Sequence, residues 1–110
     1  MPLTKEAEDQ IQELQLLEQN LQNFAMQKQS FQLQLMEIEA ALKELEKVDK
    51  GYKIIGTIMV EESKDDLLKD LTSKKEVIEL RIKSFEKQET RLREKAAKIQ
   101  NEVLEKIKSE

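Results

Sequence analysis

The chain has 110 residues, of which 38% are charged and 4% aromatic, with a formal net charge of −4 and neither Cys nor His. This excludes an aromatic-rich core, a disulfide framework, a thiolate metal site and histidine chemistry, and the Glu, Lys, Gln, Leu and Ala content points to long helices within one domain, 1–110. No apolar run reaches the ~18 residues of a membrane span, and the acidic, polar start MPLTKEAEDQ argues against a signal peptide, so a cytoplasmic setting is expected.

The first predicted element is a helix over 1–50. Stepping by four and three from Leu3 gives Leu3, Ala7, Gln10, Leu14, Leu17, Leu21, Phe24, Lys28, Phe31, Leu35, Ile38, Leu42 and Leu45. Only Gln10 and Lys28 break this apolar seam, which runs for about six heptads and is a coiled-coil signature. No Gly or Pro interrupts it before Gly51, which is expected to stop the helix. Lys47 and Lys50 are expected in the last turn, at the negative end of the helix dipole.

The second element, 51–62, is a β-hairpin. The runs YKII and TIMV are β-branched and flank Gly56-Thr57, a two-residue loop in which Gly takes the first central position of a type II′ turn. An isolated hairpin is marginal in water and leaves unpaired backbone groups along its edges. Tyr52, Ile54, Ile55, Gly56, Ile58, Met59 and Val60 are therefore the candidate assembly residues, completing a sheet with strands from other chains. The competing reading is an overlong apolar loop folded onto the end of a coiled coil.

The third element, 63–110, is a second helix. Ser63 with Asp66 three residues on makes a start resembling a capping box. Its seam is Leu68, Leu71, Lys75, Ile78, Ile82, Phe85, Glu89, Leu92, Ala96, Ile99, Val103 and Lys106. The two helices are expected to fold back as an antiparallel coiled coil, each about 65–70 Å long at 1.5 Å per residue. With Leu45 level with Leu68, Leu35 meets Ile78, Leu21 meets Leu92 and Leu14 meets Ile99. Lys28 and Glu89 then fall in adjacent layers. Either they pair and hold the register at some cost in stability, or both reach out to water. Residues 1–46 carry 3 Lys and 9 acidic residues, and the remainder carries 16 basic and 14 acidic, so the halves attract weakly. No block of like charge suggests nucleic-acid binding.

The stretch YKIIGTIMVEESKDDLLKDL between two heptad helices resembles prefoldin subunits, specifically the β class. The resemblance covers the whole chain. Its most specific part is Tyr52-Lys53, Gly56, the apolar strand through Val60 and the charged start of the second helix. It implies a mainly α fold, a long two-helix coiled coil with a single β-hairpin; α-class members have two hairpins. The short termini look like those of archaeal members. The resemblance further implies a hetero-hexamer of two α and four β subunits, with hairpins joined in an oligomeric β-barrel and coiled coils hanging from it. Such complexes capture unfolded proteins without ATP and deliver them to a group II chaperonin. No cofactor, metal, nucleic acid or membrane partner is implied.

No residues form a catalytic constellation, and there is no glycine-rich phosphate loop. Acidic pairs such as Asp65-Asp66 suit a helix start, so the chain is not expected to be an enzyme. Apolar residues off the seam are more telling: Ile11, Leu16, Met26, Leu33, Met36, Leu104 and Ile107. At the far end of the coil, Gln10 and Lys106 interrupt the seam, and fraying is expected there. Leu3, Ile11, Leu14, Leu16, Ile99, Val103, Leu104 and Ile107 are thus candidate client-binding residues, since flexible aliphatic side chains suit promiscuous contact. The alternative is a seam locally widened by Ile11 and Ile107, with Leu16 and Leu104 as ordinary isolated surface leucines. Glu102, Glu105, Lys106 and Lys108 suit either chaperonin docking or simple solvation. A structural scaffold or tether, or a regulator presenting a helix to one partner, would share the heptads but have no need of the hairpin.

Overall fold

The computed structural model describes residues 3–108. The element order is α1 (Lys5–Leu45), β1 (Lys50–Ile55), β2 (Ile58–Ser63) and α2 (Lys64–Lys108). The expected helical positions 1, 2, 109 and 110 lie outside the described residues. Thr4 caps α1: its Oγ1 accepts a hydrogen bond from the Ala7 N–H at 3.1 Å. Ser63 caps α2 in the same way, accepting from the Asp66 N–H at 3.2 Å. Each cap satisfies a backbone donor that the first turn leaves without an intrahelical acceptor, a contribution of about 1 kcal/mol.

Helix α1 ends at Leu45 rather than at the expected Lys50. Its last turn tightens through the Lys47 N–H to Glu44 C=O bond at 3.1 Å and the Val48 N–H to Leu45 C=O bond at 3.4 Å. Lys43, not Lys47 or Lys50, is the basic residue of the last turn. Buried Leu45 anchors the end of the helix, and Val48-Asp49 leads straight into β1. Gly51 does not cap the helix, because Gly56 is the only described residue with positive φ. Gly51 instead lets strand and helix approach closely: a Cβ there would stand 2.6 Å from Leu67 Cδ1 and 3.4 Å from Leu45 Cδ2.

The two strands pair antiparallel from Lys50↔Ser63 to Ile55↔Ile58, one residue beyond the expected 51–62 at each end. Gly56 has φ of 59°, while Thr57 is not in the positive region. One positive φ at the first central position fits type II′ and not I′, which needs two. Ser63 is both the last strand residue and the cap of α2, so no linker separates sheet from helix. On the other side, residues 46–49 connect α1 to β1.

The chain divides into two units. One comprises the residues up to Lys28 and those from Lys83 on. Here Leu17, Ile99 and Val103 form a buried cluster, with Ile11, Leu14, Leu92 and Ala96 packed against it. The Phe24 and Phe85 rings stack at a tilt with centroids 5.7 Å apart. Lys28 Nζ lies 2.9 Å from Glu89 Oε1, so these two charges pair rather than reach separately to water. Arg93 Nη2 donates to Glu89 Oε2 at 3.1 Å. The other unit is Gln29–Ile82. There Ile78 and Ile82 are buried, the Arg81 guanidinium lies over the Phe31 ring at 5.6 Å, and Lys75 reaches Glu39 at 3.9 Å. In both units the cross-helix pairs run in opposite senses, as an antiparallel seam requires. Every described seam residue except Leu3 is at least partly buried. Leu67, one residue off the expected seam, is buried as well.

Candidate functional site

Two regions carry the residues singled out from sequence. The first is the hairpin. Residues paired across strands share a face, and faces alternate along each strand. Gly51 and Lys53 meet α2, Gly51 against Leu67 and Lys53 through Asp70 at 3.7 Å. Asp70 also holds Lys74 at 3.6 Å, so one carboxylate joins strand and helix. Tyr52 and Ile54, opposite Glu61 and Met59, form the alternate face. Lys50 and Glu61 pair at 3.2 Å beside it.

Tyr52, Ile54, Ile55, Ile58, Met59 and Val60 keep between 43% and 70% of their surface exposed. The strands are formed and their apolar side chains stay largely exposed, so the reading of a loop folded onto the coil is set aside. The sheet has two strands, so each has one edge without a strand neighbour among the described residues. Unpaired edges combined with exposed isoleucines are what soluble proteins normally avoid or cover. Gly56 has nothing within 4 Å of a built Cβ, so its value lies in its backbone conformation alone.

The second region is the helix ends of the first unit. Leu3, Leu16, Leu104 and Ile107 are exposed. Ile11 and Leu14 are half-buried against the cluster, and Ile99 and Val103 lie within it. The eight candidates therefore split into four that present apolar surface and four that help to hold the helices together.

Around Gln10 and Lys106, where fraying is expected, polar side chains bridge the seam. Gln10 Nε2 donates to Glu102 at 2.8 Å, Lys106 Nζ donates to Gln10 Oε1 at 2.6 Å, and Lys106 pairs with Glu6 at 2.9 Å. Lys95 and Glu13 add a pair at 3.4 Å. A polar ladder thus bridges the seam at its two polar positions, because an amide side chain can accept from Lys and donate to Glu at once.

Sequence reasoning missed Leu67, Asp70 and Thr4. Leu67 sits beside the seam leucine Leu68 and packs against Gly51 of the hairpin, a contact that heptad counting does not contain. Asp70 lies among many surface charges, and nothing in its spacing marks it as the residue facing Lys53. Thr4 carried a readable signal, a hydroxyl just before an acidic first turn. Met26, Leu33 and Met36 are exposed as expected from their outward positions; Val77 and Leu80 are also exposed and were not singled out. Among the described residues, no helix is long and apolar enough to cross a membrane and no acidic cluster could hold a metal ion.

Comparison with known proteins agrees with this architecture. Residues 8–110 match the family model described as prefoldin subunit. The prefoldin subunit beta of Archaeoglobus fulgidus is 40% identical over 104 residues, covering 92% of this chain and 90% of that one. The corresponding subunit of Methanospirillum hungatei is 33% identical over 108 residues, covering 96% and 90%. The crystal structure of the prefoldin beta subunit from Thermococcus strain KS-1 matches with a TM-score of 0.86 and 32% identity, over 93% of this chain and 92% of that one.

Proposed function

Since the chain belongs to the prefoldin family, as a β-class subunit of this non-enzymatic chaperone family, we propose that it is an ATP-independent holdase subunit acting in a hetero-hexamer of two α and four β subunits. The hairpin is its assembly device. Tyr52, Ile54, Ile55, Ile58, Met59 and Val60 are covered by neighbouring hairpins, and Gly56 sets the turn that presents them. The observation that carries this reading is the pairing of exposed apolar residues with unpaired strand edges on one short sheet. A lone tether has no use for that combination.

The helix ends take the client. Leu3, Leu16, Leu104 and Ile107 meet it first, and Ile11, Leu14, Ile99 and Val103 join only where the ends part. Several weak contacts on one assembled body gain strength through effective concentration. The complex works in the cytoplasm and hands its client to a group II chaperonin. The test is to mix the chain with an α-class subunit from the same source and weigh the product by native mass spectrometry. A hexamer with four copies of this chain is expected. A chain that stays alone, or pairs only along its helices, would falsify the assembly reading and favour a structural rod.

A further inference from the structure

The chain has no cysteine, so methionine is its only sulfur chemistry. Three methionines fall among the described residues: Met26, Met36 and Met59. Their exposures are nearly equal, at 68%, 66% and 65%. Their settings differ. Met26 and Met36 lie on the outward side of α1, whereas Met59 lies in β2, opposite Ile54 and one pair from Tyr52 and Glu61. Among the described methionines it is the one in the hairpin that assembly covers.

We propose that Met59 is a modification site through which a hydroperoxide governs assembly, a proposal that rests on the hairpin reading above. In the unassembled chain the Met59 thioether is open to attack. A sulfur lone pair attacks one peroxide oxygen and displaces the other: the S–O bond forms, the O–O bond breaks, and the departing hydroxide takes the proton of the sulfur-bound hydroxyl to become water. The thioether is oxidised by two electrons to the sulfoxide, and hydrogen peroxide is reduced to water. The product puts a strongly polar S=O group where the sheet face must become dry. Burying that oxygen without a donor opposes docking. The directly opposite residue, Ile54, offers only an alkyl side chain. Oxidation therefore removes orphan subunits from assembly, and reduction of the sulfoxide returns them. Once assembled, Met59 is shielded, whereas Met26 and Met36 remain open.

The experiment treats the free chain with hydrogen peroxide until peptide mass spectrometry finds Met26, Met36 and Met59 as sulfoxides. The peroxide is then removed with catalase, and the chain is mixed with the α-class subunit. About tenfold less complex than from untreated chain is expected. A Met59→Leu chain, whatever its own untreated yield, should give the same yield of complex with and without peroxide treatment. A Met26→Leu, Met36→Leu chain should remain blocked by treatment. Full assembly of treated wild type, or no rescue by Met59→Leu, overturns the oxidation proposal and leaves hairpin assembly standing. Failure of the untreated wild-type chain to assemble overturns the hairpin reading and this proposal with it. In preformed complex, Met59 should oxidise about tenfold more slowly than Met26 and Met36; equal rates overturn the proposal.

Discussion

Glu89 is 2% exposed, and burial is where an unpaired charge costs most. Lys28 and Arg93 approach its two oxygens from the facing helix and from its own. The pair therefore matters less for net stability than for where it forces the helices to stop sliding. A one-heptad slip that set Glu89 level with Leu17 would carry it out of reach of Lys28. Replacing Lys28 with Met is expected to lower unfolding stability in urea by about 3 kcal/mol, because the Glu89 carboxylate loses its cross-helix partner. Replacing both Lys28 and Glu89 with Leu should recover most of that loss, since an apolar layer needs no partner. A double variant as unstable as the single one would mean the pair contributes more than register.

At the scale of the elements, periodicity and spacing were legible because each rests on local geometry. Both seams, the antiparallel arrangement and the adjacency of Lys28 and Glu89 follow from stepping along a helix, whereas their pairing was decided only by the structure. The two-residue turn follows from Gly56. What was not legible depended on contacts between elements. The early end of α1 reflects Leu45 and Gly51 packing against Leu67, a tertiary contact that heptad counting does not contain. The polar ladder at the helix ends likewise needed Gln10, Glu102 and Lys106 placed together in space. That ladder sharpens the client-binding expectation. Replacing Leu16, Leu104 and Ile107 with Ser should cost no more than about 0.5 kcal/mol of stability per residue, because these side chains are exposed. The same variant should weaken suppression of client aggregation several-fold in the assembled complex, by light scattering. Unchanged suppression would remove these residues from the client surface.

For the whole molecule, the helices can close their seam within the chain, whereas the hairpin's apolar face stays uncovered. Ile54→Lys tests this division. Its side chain is 70% exposed, so circular dichroism of the free chain should keep its helical signal. A lysine on that face must lose its water on docking, and edge lysines are a common guard against strand pairing. Complex formation with the α-class subunit is expected to be lost in native mass spectrometry. Assembly at wild-type yield would show that this face is not the one covered.

The two junctions of the hairpin are unequal. Residues 46–49 leave slack after α1, whereas Ser63 passes directly into Lys64. An insertion in the slack merely lengthens a turn. One placed between Ser63 and Lys64 swings every later side chain of α2 by about 100° about the helix axis, at 3.6 residues per turn. Gains and losses of chain length are therefore tolerable on one side of the sheet and ruinous on the other.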